Sequence, residues 1–291
     1  MAVSTDDRIL KAAIAAQRGE ITEYHVYTRL AKICKDPHNA EVLRSVGEAE
    51  KQHALFWKTK TGQDVKPDRF KIFKTVLLAR ILGFTFVLKR MEKNEGTASK
   101  RYTELAASFP ELEKIARDEA EHEQQLLSML DEELLQYVGS IVLGLNDALV
   151  ELTGALAGFT LALGDTRVIS LAGLVTGISA SFSMAASDYL SSKAEGDPRA
   201  SKSALYTGSA YLITVIFLIL PFLLIGNKFI ALGITLSVAV CIIFLFNYYL
   251  ATAKDLNFKR RFLEMTSISL GVAAFSFFIG WVLKGVLGVD V

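Results

Sequence analysis

The stretch of sequence that decides the fold runs from Pro110 to Leu163 and reads PELEKIARDEAEHEQQLLSMLDEELLQYVGSIVLGLNDALVELTGALAGFTLAL. Its first part predicts a charged helix, on which Glu119 and His122 lie three residues apart and therefore share a face. Its second part is an apolar segment of membrane-spanning length that contains Asp147. A helix with metal-binding side chains is thus followed directly by a membrane helix that carries an acid.

Composition divides the 291 residues into a charged, soluble half (1–135) and an apolar membrane half (136–291). The two cysteines, Cys34 and Cys241, are far apart, so neither a disulfide framework nor a cysteine-ligated metal site is indicated. The N-terminus lacks the apolar core of a cleaved signal. Since the chain has a formal charge of only +1 and no large basic patch, we expect no nucleic-acid partner.

The soluble half predicts four helices with short links, which is typical of a bundle. The first covers Asp6 to Lys35, where apolar residues recur every three or four positions, and the second starts after Asp36-Pro37 and stops at Thr61-Gly62. A third begins at Phe70, and a capping box at Ser108 opens the fourth. We therefore predict an all-α protein in which a cytoplasmic four-helix bundle precedes the membrane domain.

Carboxylates and histidines occur on these helices in a pattern that suits two metal ions. The second and fourth helices each carry a Glu-x-x-His pair, and the first and third add acids. Carboxylates can bridge two cations and a neutral imidazole can complete each one, so this set predicts a dinuclear site. The predicted ligands are Glu20, Glu50, His53, Glu92, Glu95, Glu119 and His122.

These ligand motifs resemble the rubrerythrin branch of the ferritin-like superfamily over residues 6–135, and Glu95 matches the second glutamate that this branch carries on its third helix. The resemblance implies an iron cofactor, for which Mn or Zn could substitute. Tyr24 and Tyr27 follow Glu20 by one and two turns. They could hydrogen-bond the ligand carboxylates or serve packing alone.

One feature of rubrerythrins is missing, because the chain has no four-cysteine module to relay electrons. A peroxidase cycle would then need an outside reductant, whereas Fe(II) supplies its own electrons when it is oxidised. Iron capture or ferroxidase chemistry is therefore favoured over peroxide reduction. No catalytic residue is assigned.

The segment from Phe70 to Arg90 contains five bases and no acid. Its apolar residues lie mostly apart from the bases, which predicts a helix over 70–82 lying on an anionic membrane surface, with a break near Gly83. The alternative is that this segment simply begins the third bundle helix, packed in the core or in a dimer interface.

The membrane half contains five apolar segments long enough to span a bilayer. They are Tyr137 to Leu163, Val168 to Leu190, Leu205 to Ile225, Phe229 to Leu250 and Ile268 to Leu287. Bases cluster in the loops 191–203 and 251–266, whereas the opposite loops are minimal. The positive-inside rule therefore predicts a multi-pass protein of the cell membrane, with the bundle in the cytoplasm and Val291 outside.

Acids inside these spans are costly and indicate function. Asp147 and Glu151 share a face of the first span, and Met184 and Asp188 share a face of the second. Carboxylates with a soft thioether predict stepping sites for Fe(II). Two alternatives stay open: Asp188 could lie among the lipid headgroups, and Met184 could be core packing.

The segments NDALVELTGALAGF and SFSMAASDYLSSKAE resemble the first two spans of the vacuolar iron transporter family, and the resemblance extends over residues 137–290. It implies that Asp147 and Met184 line the cation path, that the protein is a homodimer, and that Fe(II) is exchanged for protons. Plant members carry a glutamate-rich insert between spans two and three, whereas this loop is short, with only Glu195 and Asp197.

Joined, the two halves resemble the membrane-bound ferritin proteins of bacteria, which implies export of Fe(II) from the cytoplasm. Two alternatives remain: a membrane-anchored ferroxidase or peroxide scavenger without transport, and a transporter of Mn(II). The sequence also leaves open whether the fourth bundle helix continues into the first span or breaks near Gly139.

Overall fold

The structure is a computed structural model that describes residues 5–91, 111–128 and 137–287. These residues form helices with short connections and contain no strand, which confirms the all-α prediction. The chain separates into two compact units, Met1–Glu132 and Glu133–Val291, here called unit 1 and unit 2. Each unit is described by itself.

The described residues of unit 1 form α1 (Thr5–Ile33), α2 (Pro37–Thr61), α3 (Arg69–Leu82), α4 (residues 84–91) and α5 (Leu112–Ser128). Asp36 caps α2 by accepting a hydrogen bond from the Asn39 amide at 2.8 Å. Pro37 occupies the first helical position, where a backbone N–H would have no partner within the helix and its absence therefore costs nothing. Helix α1 packs along α2, and α2 packs against α5. The fully buried Trp57 joins these three helices in an apolar core.

The predicted third bundle helix is interrupted where the sequence indicated. Helix α3 ends at Leu82, and Gly83 has a φ of 87°, a conformation that a residue with a Cβ rarely adopts. Helix α4 then starts with residue 84. The prediction of a break near Gly83 is confirmed, and the continuation of this helix lies outside the described residues.

The described residues of unit 2 include five helices long and apolar enough to cross a membrane, which confirms the predicted number. They are span 1 (Val138–Ala162), span 2 (Thr166–Ala194), span 3 (Ala200–Leu224), span 4 (Lys228–Ala253) and span 5 (Phe258–Leu287). Span 5 begins at Phe258 rather than at Ile268, because Asn257 caps it and hydrophilic residues occupy its first turns. Hydropathy alone detects only the apolar part of such a helix.

Span 1 is not a uniform α-helix. An α-helix over Val138–Asp147 changes to a π-helical turn over Ala148–Leu152 and returns to an α-helix over Thr153–Ala162. The Leu149 carbonyl in this turn accepts hydrogen bonds from the hydroxyls of Thr153 and of Ser269 on span 5, the latter at 2.7 Å. The two hydroxyls thus provide hydrogen bonds to a buried carbonyl oxygen in a turn where the regular α-helical pattern of backbone hydrogen bonds is interrupted.

Glycines allow the spans to approach closely. A Cβ on Gly158 would meet the backbone of Ser276 on span 5, and a Cβ on Gly177 would overlap Val215 on span 3. In the sequence, Gly158 and Gly177 each close a GxxxG motif, which is typical of helices that cross closely. Gly139 lies in the first turn of span 1, whereas residues 129–136 lie outside the described residues, so the continuity of α5 with span 1 stays an open question.

Candidate metal centre and membrane acids

Three helices of unit 1 bring five of the predicted ligands together. Helix α1 supplies Glu20, α2 supplies Glu50 and His53, and α5 supplies Glu119 and His122. The three-residue spacing within each pair places both members on one helix face, and the packing of α2 against α1 and α5 turns that face inward. The prediction from spacing therefore corresponds to a real cluster.

The donor atoms in this cluster are close enough to share a metal ion. One ligand atom from each of Glu20, Glu50, His53 and Glu119 lies within 4.8 Å of the other three. His53 Nδ1 is 3.2 Å from Glu119 Oε1 and 3.5 Å from Glu50 Oε2, and His122 Nδ1 is 3.4 Å from Glu50 Oε1. Glu50 thus has one imidazole near each of its oxygens.

Buried donor atoms without hydrogen bonds show that these residues suit a metal ion. Among the described residues, Glu50 Oε2, His53 Nδ1 and His122 Nδ1 are buried without a hydrogen-bond partner. Such groups are costly to bury unpaired, and a metal ion bound between them would remove that cost. Oxygen and imidazole donors suit Fe, Mn or Zn, and the donors do not discriminate among these metals.

The same groups perturb one another electrostatically. Burial, together with the neighbouring Glu50, raises the pKa of Glu20 well above its usual value. Burial opposes ionisation of Glu50 too, but His122 and His53 outweigh it and lower its pKa to about 2. Burial also disfavours charge on His53, yet Glu119 and Glu50 raise its pKa to about 10. Without metal, protons therefore neutralise part of the cluster.

We expect metal affinity to rise steeply with pH. Between pH 6.5 and 8, His53 is protonated in the metal-free cluster, and a metal ion must displace that proton before the imidazole can bind. Each displaced proton makes the dissociation constant fall about tenfold per pH unit. Titration of the full-length protein with Mn(II) at a series of pH values tests this, and a flat profile would contradict it. The signal that remains in a Glu50→Ala variant serves as the baseline.

Two acids near the cluster were missed from the sequence. Asp118 Oδ2 lies 3.5 Å from His53 Nε2, and Glu23, one turn after Glu20, forms an ion pair with Lys71 at 3.0 Å. Burial raises the pKa of Glu23 to about 7 in spite of Lys71. Spacing could have suggested both, since Asp118 shares a face with His122 and Glu23 with Glu20.

The remaining residues predicted for unit 1 divide into two groups. Glu92 and Glu95 lie outside the described residues. Tyr24 lies beside His25, with Lys51 Nζ 5.3 Å from the centre of its ring, and Tyr27 is buried where α1 approaches Gly47 of α2. These positions agree with packing for both tyrosines, and a hydrogen bond to a ligand carboxylate stays a prediction.

In unit 2, the π turn of span 1 organises the two predicted acids. Asp147 immediately precedes the turn and Glu151 lies within it, and the two side chains interact. Asp147 is partly buried, whereas Glu151 is exposed on the surface of unit 2. Because π turns recur at functional sites, this interruption favours a functional role for Asp147 and Glu151.

Tyr211 of span 3 is a residue of this region that sequence reasoning missed. It is fully buried, and its hydroxyl donates a hydrogen bond to Glu151 Oε2 at 3.0 Å. No local spacing could reveal the pair, because 60 residues separate its members. Met184 of span 2 packs, partly buried, against the apolar core of unit 2, which agrees with packing and does not by itself test a place in the cation path.

Removing the Tyr211 hydroxyl should lower the stability of unit 2, because the hydrogen bond to Glu151 is lost. A hydrogen bond contributes about 0.5–1.5 kcal/mol, so Tyr211→Phe should lower the thermal stability of the full-length protein in detergent. The same substitution in a Glu151→Ala background should have a much smaller effect, since the acceptor is already gone. Equal effects in the two backgrounds would show that the bond to Glu151 is not the cause.

Asp188 lies in a polar cluster between the ends of three spans. Its Oδ2 accepts hydrogen bonds from Ser203 Oγ at 2.7 Å and from Thr207 Oγ1 at 2.9 Å. Both hydroxyls also contact Ser140 at the start of span 1. These bonds show a structural role for Asp188 in joining spans 1, 2 and 3, and its predicted part in transport stays a prediction.

Comparison with known proteins bears on the membrane unit. A search of curated proteins finds no match to this chain. Residues 138–202, which contain Asp147, Glu151, Met184 and Asp188, match the family model VIT1, described as the VIT family. Together with the five apolar helices, this match supports a membrane unit of the vacuolar iron transporter type.

Proposed function

We propose that this protein transports divalent metal ions across the cell membrane, that Fe(II) is its cargo, and that unit 1 collects the metal on the cytoplasmic side. The observation that carries the proposal is the pair of acids, Asp147 and Glu151, at a π turn inside the region that matches the VIT family. A chain that uses its spans only as an anchor gains nothing from acids in an apolar helix.

The exposure of Glu151 supports a homodimer. Its carboxyl is fixed by Tyr211 at the surface of unit 2, within a span whose other residues are mostly apolar. A carboxylate in contact with lipid tails is costly, so a second copy of the chain, or a water-filled path beside it, must cover this position. We place the cation path along Asp147, Glu151 and Met184, with protons moving in the opposite direction.

Unit 1 supplies a binding site for the same type of metal. Glu20, Glu50, His53, Glu119 and His122 would hold a first ion, and Glu92 and Glu95 would complete a ferritin-like dinuclear site. Bound iron would add the capacity to react with oxygen or peroxide. The chain's own residues bind the ion, exchange protons for it and exclude water around Glu50 and His53.

The charges near the loops favour export. Bases flank the connections after spans 2 and 4, including Lys193, Arg199 and Lys254, whereas the connections after spans 1 and 3 are short. By the positive-inside rule, we expect the basic loops and the N-terminal end of span 1, which unit 1 precedes, to face the cytoplasm. Metal collected by unit 1 would then leave the cell through unit 2.

Reconstituted full-length protein tests the proposal. Liposomes that contain a metal-sensitive dye are exposed to Fe(II) without oxygen, and a pH-sensitive dye reports proton movement. Metal flux with an opposite proton flux is expected. Flux of Mn(II) in preference to Fe(II) would change the cargo. Peroxide consumption with no flux of either metal would instead favour a membrane-anchored enzyme.

A further inference from the structure

Helix α3 presents an apolar stripe away from unit 1. Phe70, Phe73, Leu77 and Ile81 recur every three or four residues, which places them on one face. Their exposed fractions are 72, 60, 42 and 67%. Four large apolar side chains in one row are more than the single exposed residues that are normal on a soluble surface.

The opposite face of α3 holds the helix firmly on unit 1. Ile72 and Ala79 are buried, and Lys71 forms an ion pair with Glu23 of α1 at 3.0 Å. At the N-terminus, the Asp68 amide donates a hydrogen bond to Thr22 of α1 at 2.9 Å, and the Asp68 side chain caps α3. Because the helix is anchored in this way, its stripe does not turn inward.

Basic residues border the stripe on both sides. At about 100° per residue, Lys74 falls on one edge, and Arg69 and Arg80 fall on the other. All three are exposed, and α3 contains no acid. A row of large apolar side chains between two basic edges complements a membrane surface. The apolar row can contact acyl chains, and the basic edges can contact the anionic headgroups above them.

We propose that α3 lies on the surface of the bilayer that unit 2 crosses, with its apolar stripe inserted among anionic lipids and Lys74, Arg69 and Arg80 at the headgroups. A second copy of the chain is a poorer occupant. Two such stripes placed face to face would bring basic edge against basic edge, and this repulsion is absent against anionic lipid.

A fluorophore on the stripe tests this in the full-length protein. In a Cys34→Ser, Cys241→Ser background, Phe73→Cys is labelled with an environment-sensitive dye and reconstituted into liposomes of phosphatidylcholine and phosphatidylglycerol. Spin-labelled lipids should quench this dye several-fold more strongly than a dye at Leu55→Cys, an exposed apolar position on α2. In liposomes of phosphatidylcholine alone, the difference in quenching between positions 73 and 55 should be smaller.

A charge reversal provides the second arm. Lys74→Glu with Arg80→Glu should weaken quenching at position 73 in anionic liposomes. Lys32→Glu with Lys35→Glu, the same charge change at exposed positions distant from α3 in sequence, should leave quenching unchanged. Equal effects from both pairs would overturn the proposed role of the basic edges.

Two further outcomes would overturn the proposal. A dye at position 73 that is shielded from water yet unquenched by lipid, with disulfide formation between two copies through Phe73→Cys, would assign the stripe to an interface between copies. A dye that remains in water would leave the stripe without an occupant. Neither readout needs metal, so a chain that transports no metal would still give the expected result, and the two proposals can fail independently.

Discussion

Replacing Asp147 by asparagine should lower metal flux through the reconstituted protein by at least about tenfold, since one unit-charge pair at 4 Å is worth about 4 kcal/mol at an effective dielectric of 20. The amide keeps the size of the side chain but removes the charge that makes a cation stable inside an apolar span. The measurement is initial flux of Fe(II) under anaerobic conditions.

The matched control is Glu195→Gln, the same carboxyl-to-amide change in the exposed loop after span 2. It should transport at the rate of the unmodified protein. Thermal stability in detergent should be similar for both variants, which separates lost transport from lost folding. If a stable Asp147→Asn protein transported Fe(II) at the full rate, Asp147 would not line the cation path.

Replacing Glu50 by alanine should remove most of the metal held by unit 1. Glu50 lies 3.5 Å from His53 and 3.4 Å from His122, so it is the carboxylate that connects the two imidazoles. Without Glu50, the site loses a charged carboxylate that lies next to both imidazoles. By the same Coulomb argument, the affinity for a divalent metal ion should fall by a factor of about 100 or more. Metal content of the purified full-length protein measures the loss.

Glu48→Ala provides the control for this result, because Glu48 lies on the same helix but is exposed and pairs only with Lys51 among the ion pairs of the described residues. Its metal content should match that of the unmodified protein. At saturating external metal, the Glu50→Ala protein should still support flux, since the path in unit 2 is intact. If the Glu50→Ala protein kept its full metal content, Glu50 would not be a metal ligand.

These two results bear on different parts of the proposed function. Loss of flux in Asp147→Asn with normal metal content would assign transport to unit 2, and loss of metal in Glu50→Ala with residual flux would assign collection to unit 1. If a single variant abolished both, the two units would act as one obligate path. The proposed lipid contact of α3 is tested by fluorescence alone and is independent of either outcome.

Sequence by itself determined the features that depend on local spacing and on average hydropathy. The five spans, the break at Gly83, the close crossings at Gly158 and Gly177, and the pairing of Glu50 with His53 all follow from patterns within a few residues. Such patterns survive folding, because helix geometry alone decides which neighbours three or four residues apart share a face.

Only the tertiary structure decided which faces meet. The hydrogen bond from Tyr211 to Glu151, the contact of Asp118 with His53, and the Ser269 hydroxyl on the π turn join residues 60, 65 and 120 positions apart. The π turn itself changes the helix register beside Asp147, and no composition rule marks it. Contacts of this kind arise from the crossing of packed helices, and that crossing depends on side-chain shapes along the whole interface rather than on any local motif.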